Sequence, residues 1–414
     1  MNNKNRRDFL KILGLAPLFA ATASFAEDTT KPHIVIVGGG FSGSTCAKYL
    51  KLWGGHSVDV SIIESSRSYV SPILSNLVLN NQKSISSLTF NLLELESKYE
   101  VNVIYSDVLN VNNDSNSLTL SNGTVVSYDK LVLAAGIDFI KTNDYDFSNV
   151  PHAWKAGEQT LNLKNKIDSM VNGDTFTMSI PPAPYRCPPG PYERACVVAD
   201  YLKNVKGYND CVVNVLDANA NVTVEADTFL AKFNEYGVNY VPNCTVEFVN
   251  DQNNTITYNE GGASKNITSE VLNVIPEHKA ASIIFQAGVN SGNWAPVNPL
   301  SYESIIINGI YVIGDSQGTG QPKAGHIANS EAKVCADAIL RTINNVPLYA
   351  DPKTTSACYS PTSTTEASWL SAVFKYDPGQ EKMVISNIDS GDSSVSNYSE
   401  MFNWSGNLFK DTFS

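Results

Sequence analysis

A glycine-rich turn at residues 38–43 is the feature that most constrains how this chain can fold. It directly follows the β-branched run 34–37, which is typical of a buried parallel strand, and it precedes a helical pattern over 44–53. In such a unit, Gly38 permits the tight turn, Gly40 lets the backbone approach a pyrophosphate, and Gly43 allows close packing of the helix on the strand. The helix N-terminus offers free N–H groups to phosphates. The turn therefore predicts an α/β dinucleotide site.

An acidic residue follows at the position where a nucleotide ribose would lie. The second predicted strand, 58–63, ends at Glu64. A carboxylate there can accept hydrogen bonds from the ribose hydroxyls and would repel a 2′-phosphate. A glycine-rich turn without a nucleotide is the alternative, and the combination of strand, helix and acid disfavours it.

Two downstream segments favour FAD over NAD at this site. Residues 128–136, ending at Gly136, resemble the strand by which two-dinucleotide-domain flavoproteins leave the FAD domain. Residues 310–315 resemble their second FAD motif, in which the acid, here Asp315, binds the ribityl chain. A helix predicted from about His326 to Leu340 follows, and its positive end would face the flavin N1 and C2 carbonyl.

The sequence lacks the glycines of a second nucleotide site. A strand predicted at Thr175–Ile180 leads into the loop 181–191, which is rich in proline. Proline has no backbone N–H to donate to a pyrophosphate, so the sequence predicts that NAD(P)H is not the electron donor. The loop presents Cys187 instead, before a helix predicted at Tyr192–Leu202 whose dipole would favour a thiolate.

The chain has seven cysteines. Their spacing includes no C-x-x-C pair and no C-x-x-C-H, so neither a thioredoxin-type site nor covalent haem attachment is encoded. Cys187 and Cys358 are predicted to lie in proline-rich or polar loops, where functional groups are common. From the residues alone, a redox-active pair, a structural disulfide and unpaired thiols all stay open. Four others are predicted to be small core residues: Cys46, Cys196, Cys211 and Cys335.

Several stretches resemble the flavoprotein subunit of flavocytochrome c sulfide dehydrogenase, and the similarity extends from Lys31 to the end. They are residues 151–160, 188–195 and 322–325, with 403–404 and 411–413 in the tail. The resemblance implies an α/β fold of the FAD/NAD(P)-disulfide oxidoreductase type, related to sulfide:quinone oxidoreductase. It has two Rossmann-like three-layer dinucleotide-binding domains, as in glutathione reductase, and a C-terminal α+β cap or interface domain.

The domain boundaries predicted from this resemblance divide the chain into four parts. They are a signal peptide at 1–26, a discontinuous FAD-binding domain at 31–145 and 281–345, a second Rossmann-like domain without a nicotinamide site at 146–280, and a flavin-covering or partner-interface domain at 346–414. The last part has many aromatic residues, for which core packing is the alternative interpretation.

The family's chemistry implies a role for each site residue. Cys187 and Cys358 would form a redox-active disulfide beside the flavin; hydrosulfide would attack it, giving a persulfide and a thiolate. The electron pair would pass to the flavin and then, one electron at a time, to a c-type cytochrome partner. Glu193 is a candidate proton acceptor. Lys323 is a candidate for steadying the flavin carbonyl oxygen or reduced N1. For both Glu193 and Lys323, the alternative interpretation is a charge at the surface or at a helix cap.

One departure from the family concerns how the flavin is held. Family members often attach FAD through a cysteine ahead of a Leu-Ser-Asn sequence, which occurs here at 74–76, but this chain has Pro72 at the cysteine position. Proline has no nucleophile, so the sequence predicts noncovalent FAD.

The first 26 residues resemble a twin-arginine export signal and predict a periplasmic protein. Arg6 and Arg7 precede an apolar run over 12–23, which is too short to span a bilayer. The formal net charge is −12; this segment holds four basic residues and one acidic residue, so the charge without it is −15. An acidic protein is not expected to bind nucleic acid or anionic lipid, but it is compatible with a basic partner.

Two other functions stay open. Sulfide:quinone oxidoreductase shares the fold and the paired cysteines, but it normally has an apolar membrane-contacting tail, whereas residues 400–414 mix polar and aromatic side chains. A noncatalytic flavin dithiol protein that activates sulfur-oxidising partners is the other alternative.

Overall fold

The computed structural model describes residues 31–414, so the predicted export signal at 1–26 lies outside the described residues. The α-helices of the described part are α1 (Phe41–Gly54), α2 (Asn76–Leu79), α3 (Leu93–Tyr99), α4 (Glu158–Ser169), α5 (Gly190–Asp200), α6 (Ala226–Tyr236), α7 (Ser282–Gln286), α8 (Gly325–Ile343) and α9 (Val395–Phe413).

The β-strands of the same residues are β1 (His33–Val37), β2 (Asp59–Glu64), β3 (Tyr69–Val70), β4 (Thr89–Phe90), β5 (Asn102–Tyr105), β6 (Val108–Asn112), β7 (Ser117–Leu120), β8 (Val125–Ser127), β9 (Lys130–Leu133), β10 (Ile137–Ile140), β11 (Thr175–Ile180), β12 (Val212–Asp217), β13 (Asn239–Val241), β14 (Cys244–Asn250), β15 (Thr255–Glu260), β16 (Ala263–Thr268), β17 (Val271–Val274), β18 (Glu277–Ala280), β19 (Ile310–Val312), β20 (Lys353–Pro361), β21 (Ala367–Asp377) and β22 (Lys382–Ser394).

The first sheet is parallel, with the strand order β19-β9-β1-β2-β5. Ile34 pairs with Val60 on one side and with Lys130 on the other. Residues 34–36 of β1 are fully buried, which explains their uninterrupted apolar character, because the central strand of a parallel sheet is covered on both faces. The carboxyl ends of β1, β2 and β9 therefore meet at one edge of the sheet.

The second parallel sheet has the order β13-β12-β11-β17. Its strand β11 covers the residues predicted from the sequence, and it leads into the proline-rich loop that carries Cys187. The chain passes from the first sheet to the second through β10 and returns through β18, and these two strands pair with each other antiparallel.

The C-terminal region is an antiparallel sheet, β20-β21-β22, followed by α9. Cys358 lies within β20, opposite Leu370 of β21, so the prediction that it occupies a loop is wrong. The strand was not recognised because small polar residues fill its buried face; Thr354, Ser356 and Ser360 are all buried.

Helix α9 packs its aromatic side chains against the first helix of the chain. The Phe413 ring lies 5.4 Å from that of Phe41, the first residue of α1, and the Phe409 ring lies 6.1 Å from it. Phe409 and Phe413 therefore contribute to a core with α1. Within residues 31–414, no helix has the length and apolar character needed to cross a membrane.

Candidate active site

A large cleft lies at the carboxyl edge of the first sheet. Its volume of about 700 Å³ is in the range of cofactor sites. It is called the nucleotide cleft here, and five of the seven residues predicted from the sequence to bind the cofactor line it: Gly38, Gly40, Glu64, Gly136 and Asp315. Predicted residues from positions 38 to 315 thus meet in one place.

The glycine turn has the geometry that the motif requires. Gly38 has φ of +105°, and a Cβ there would lie 2.6 Å from the Ala134 carbonyl oxygen. A Cβ at Gly43 would lie 1.8 Å from the Gly38 carbonyl oxygen, an impossible contact. Gly43 does not line the cleft, and its role is to let α1 approach the turn.

Two carboxylates face the cleft from different elements. Glu64 ends β2, and its Oε2 accepts a 2.6 Å hydrogen bond from the N–H of Gly39, while Oε1 accepts from the N–H of Ser66 at 3.0 Å. Asp315, just after β19, has a buried Oδ1 with no hydrogen-bond partner among the described residues. Burial also raises the pKa of Asp315. An orphaned buried oxygen beside a cleft indicates a place for a ligand hydroxyl.

A second, smaller cavity holds both of the singled-out cysteines. Its volume is about 70 Å³, enough for a few water-sized groups. It is called the thiol cavity here, and the lining residues that matter for its chemistry are Cys187, Cys358, Glu193, His326, Trp154 and Trp404. Both cysteines are thiols in this structure. The structure therefore brings Cys187, Cys358 and Glu193 together.

The two cavities share part of their lining. Pro72, Arg186 and Gly325 line both the nucleotide cleft and the thiol cavity. Gly325 begins α8, so the N-terminus of that helix lies at the junction. That this helix end faces a flavin stays a prediction from the sequence. A group that filled the cleft up to this junction would border the cavity that holds the two cysteines.

Backbone contacts hold Cys187 in place. It has φ of +58°, its N–H donates a 2.6 Å hydrogen bond to the Lys323 carbonyl oxygen, and its carbonyl oxygen accepts from the N–H of Gly190 at 2.9 Å. A Cβ at Gly190 would lie 2.8 Å from the Cys187 Sγ, so glycine is needed there to admit the thiol. Helix α5 begins at Gly190, two residues before the start at Tyr192 that the sequence predicted.

Burial decides the protonation of the two thiols. It raises the pKa of Cys187 to about 12, with a further contribution from the Glu193 charge. The N–H of Gly190 at the start of α5 acts in the opposite direction but is outweighed. The start of α5 therefore does not hold Cys187 as a thiolate. Burial also raises the pKa of Cys358 well above its ordinary value, with the Cys187 charge contributing.

Glu193 is a buried acid held by an amide. Its Oε1 accepts a 2.9 Å hydrogen bond from the Nδ2 of Asn76, whose Oδ1 accepts from the Nε of Arg194 at 3.0 Å. Burial raises the pKa of Glu193 to about 8. A carboxyl group with a pKa near the working pH can both take and release a proton, which is what a general base requires. The surface or helix-capping alternative does not fit this placement.

The predicted role of Lys323 does not fit its position. Its Nζ donates a 2.7 Å hydrogen bond to the Gln317 carbonyl oxygen and lies 3.6 Å from the centre of the Trp294 ring. Lys323 lines neither cavity, and burial lowers its pKa to about 8. The cation at the junction is Arg186, which also donates to the Trp154 carbonyl oxygen. The sequence signal that could have identified Arg186 is its position directly before Cys187.

The carboxyl end of β12, in the second parallel sheet, carries a network of the chain's own polar groups. Asp217 ends β12, and its Oδ2 accepts hydrogen bonds from the hydroxyl groups of Tyr192 and Tyr240, each at 2.8 Å. The Tyr185 hydroxyl, from the proline-rich loop, lies 3.4 Å from that of Tyr192. This network uses the acid that would otherwise be free for a ribose.

Comparisons with known proteins agree with this geometry. Residues 160–276 match the family model of the central region of the sulfide dehydrogenase (flavocytochrome c) flavoprotein chain. Residues 32–171 match the model of the pyridine nucleotide-disulphide oxidoreductases. Over residues 160–276, this chain is similar to the flavocytochrome c sulfide dehydrogenase flavoprotein. The fold class and family resemblance predicted from the sequence are confirmed.

Solved structures share the fold of this chain. The sulfide:quinone oxidoreductase of Aquifex aeolicus is 16% identical, with a TM-score of 0.79 over 92% of this chain and 91% of that one. NDH2 of Plasmodium falciparum in complex with NADH is 14% identical, with a TM-score of 0.68 over 92% and 98%. A NAD-dependent persulfide reductase of A. fulgidus is 14% identical, with a TM-score of 0.61 over 92% and 77%.

The residues of the cleft fit the flavin nucleotide that this family carries. The glycine turn accommodates a pyrophosphate, Glu64 ends β2 where the adenosine ribose would lie, and the orphaned Oδ1 of Asp315 suits a ribityl hydroxyl. Pro72, at the junction, has no atom that could bond covalently to the cofactor.

Proposed function

We propose that this chain is a periplasmic, FAD-dependent sulfide dehydrogenase that oxidises sulfide to sulfur or polysulfide and passes electrons to a c-type cytochrome. The observation that carries the proposal is the shared lining of the two cavities: Cys187 and Cys358 lie in one cavity that meets the nucleotide cleft at Pro72, Arg186 and Gly325. The family match supports the sulfur chemistry.

The size and polarity of the thiol cavity favour a small inorganic substrate. About 70 Å³ accommodates hydrosulfide but not an organic thiol of the size of glutathione. Arg186 contributes a positive charge at the junction, which suits an anion. A wide cavity without a cation would argue for a different sulfur donor.

In the proposed reaction, hydrosulfide attacks one sulfur of a Cys187–Cys358 disulfide. A new sulfur–sulfur bond forms as the old bond breaks, and the electron pair of the old bond stays on the other cysteine as a thiolate. Glu193, which is ionised above a pH of about 8, accepts the proton of the persulfide. FAD, when bound, supplies two-electron oxidation of the thiol pair and one-electron transfer to a haem.

The proposal includes noncovalent FAD, export and a separate cytochrome. Pro72 supports noncovalent binding because it replaces the cysteine that often carries the thioether in this family. The twin-arginine pattern of Arg6 and Arg7 supports periplasmic export. The net charge of −12, or −15 without residues 1–26, supports a basic partner.

Anaerobic reduction by hydrosulfide tests the proposal. The purified protein is mixed with sodium hydrosulfide, and the flavin absorbance is followed by stopped flow. We expect bleaching in the wild type and a loss of at least 100-fold in rate for both Cys187→Ser and Cys358→Ser, with FAD still bound. Cys211→Ser is the matched control, because Cys211 is half-buried but lines neither cavity. Bleaching of either cavity variant at the wild-type rate would refute the proposal.

Quinone reduction is the competing second half-reaction, because the structure resembles a sulfide:quinone oxidoreductase. Steady-state turnover with sulfide distinguishes the two acceptors. We expect reduction of cytochrome c and at least 10-fold slower reduction of a soluble ubiquinone or decylquinone. Faster reduction of the quinone would assign the chain to the alternative activity. Bleaching by sulfide without turnover by either acceptor would instead favour a noncatalytic dithiol protein.

A further inference from the structure

His326 lies in the thiol cavity, and sequence reasoning gave it no role. It is the second residue of α8, and it lines the cavity together with Cys358. Its Nδ1 is bonded to the backbone N–H of Ala357 at 2.9 Å. The histidine ring is therefore tied to the residue directly preceding Cys358 in β20.

This contact fixes the position of the ring proton. A backbone N–H can only donate, so the Nδ1 of His326 must be the acceptor, and the proton of the neutral ring must be on Nε2. Burial lowers the pKa of His326, which keeps the ring neutral at physiological pH. Nε2 has no partner among the described residues and is not a buried atom, so it is the ring nitrogen that remains accessible.

A charged sulfur in this cavity needs such a donor. Burial, together with the charges of Cys187, Glu225 and Glu193, opposes a thiolate at Cys358, and only the Ser356 hydroxyl acts in its favour. Opening a disulfide must nevertheless leave a negative charge on one of the two sulfur atoms. A neutral N–H donor can stabilise that charge without the cost of burying a second ion.

We propose that His326 donates a hydrogen bond from Nε2 to the Cys358 thiolate that forms when the disulfide opens. The sulfur–sulfur bond breaks, its electron pair stays on Cys358, and the proton stays on His326, so no proton is transferred. This inference rests on the proposed function of the cavity, and it assigns His326 a role in the reaction beside those of the two cysteines and Glu193.

The surrounding charges do not provide this hydrogen bond. Glu193 on α5 is an acceptor when ionised. Arg186 is bonded to the Trp154 carbonyl oxygen, and Arg194, which also lines the cavity, donates to Asn76 and to the His152 and Ala153 carbonyl oxygens. Lys333 on α8 and Asp411 on α9 act on His326 with opposite signs. The Lys333 Nζ and the Asp411 Oδ2 lie 2.8 Å apart as an ion pair, so their net effect on the pKa of His326 is small.

Two substitutions separate the donor from the backbone contact. His326→Asn keeps an oxygen where Nδ1 accepts from Ala357 but has no atom at the position of Nε2. His326→Gln places an amide N–H at that position. The holoprotein is reduced anaerobically with dithiothreitol, and alkylation of Cys358 by iodoacetamide is followed from pH 6 to 10 by site-resolved mass spectrometry.

We expect H326N to raise the apparent pKa of Cys358 by about one unit, which slows alkylation about 10-fold below that pH, whereas H326Q stays close to wild type. Alkylation of Cys211 should be the same in all three proteins. If H326N does not retain FAD, H326F provides the same comparison, because it keeps a ring without a donor.

The inference would be overturned if the apparent pKa of Cys358 were the same in H326N and H326Q, or if it were unchanged from wild type in both. The assay needs no sulfide turnover, so its failure is distinct from failure of the proposed function. If H326N raises the apparent pKa of Cys358 as expected but sulfide does not bleach the wild-type flavin, the role of His326 stands and the sulfide dehydrogenase proposal is refuted.

Discussion

The backbone N–H of Cys187 donates a 2.6 Å hydrogen bond to the carbonyl oxygen of Lys323. The first residue belongs to the loop after β11, and the second lies just before α8, so this bond joins the second parallel sheet to the segment that closes the nucleotide cleft. Helix α8 also packs against β20, which carries Cys358. The contact explains how two sulfur atoms 171 positions apart in the sequence reach one cavity.

The Lys323 contact also changes what substitution of this lysine should do. Because its carbonyl oxygen, not its ammonium group, meets the site, Lys323→Met should change the rate of flavin reduction by hydrosulfide less than about threefold. Arg186→Met should slow it at least 10-fold, because Arg186 lines both cavities. Stopped-flow reduction compares the two variants, and a larger loss for the lysine variant would restore its predicted role.

Glu193 should control how the reduction rate depends on pH. Its pKa, raised by burial to about 8, means that the proton-accepting carboxylate is the minor form below that pH and the major form above it. The ratio of the wild-type rate constant to that of Glu193→Gln should therefore rise about tenfold per pH unit below 8 and level off above it.

Using this ratio cancels the titration of hydrosulfide itself, which affects both proteins equally. A ratio that stays constant from pH 6 to 9 would show that Glu193 does not act as a base. FAD content measured in both proteins controls for a structural effect of the substitution.

Gly43→Ala should abolish FAD binding. The added Cβ would lie 1.8 Å from the Gly38 carbonyl oxygen, so α1 must move away from the glycine turn. We expect a loss of stability of about 1–3 kcal/mol or more and little bound FAD, measured by thermal unfolding and by absorbance. Gly406→Ala in α9 is the control, because its Cβ would meet nothing within 4 Å. Normal FAD content in Gly43→Ala would contradict the placement of the nucleotide.

Acid precipitation should release all of the flavin from the wild-type protein. Pro72 lines the junction of the two cavities but has no nucleophile, so no covalent bond can hold FAD there. The supernatant after trichloroacetic acid should contain the yellow FAD, and the washed pellet should be colourless. Flavin retained in the pellet would require an attachment residue other than the one at position 72.

Much of this architecture could be predicted from local sequence patterns. The strand β11 has the predicted bounds, and α8 contains the predicted segment with a few more residues at each end, because glycine spacing and β-branched runs are local signals. Cys358 in β20 was missed because the strand's buried face is lined by Ser and Thr rather than by apolar residues.

The site was harder to predict where it depends on tertiary contacts. Neither the burial that raises the pKa of Cys187 nor the direction of the Lys323 side chain can be read from neighbouring residues. Asn76 and His326 enter the site through hydrogen bonds to residues far away in the sequence. Their residue types alone gave no signal.

Site-resolved mapping of the oxidation state tests the central claim most directly. The protein is isolated in air, alkylated under denaturing conditions without reductant, digested and analysed by mass spectrometry, before and after anaerobic addition of one equivalent of hydrosulfide. We predict a Cys187–Cys358 disulfide peptide before addition and, once the flavin has accepted the electron pair, a linked Cys187–Cys358 peptide that carries one additional sulfur atom. Free alkylated thiols at both positions in the air-isolated protein, unchanged by hydrosulfide, would contradict the account.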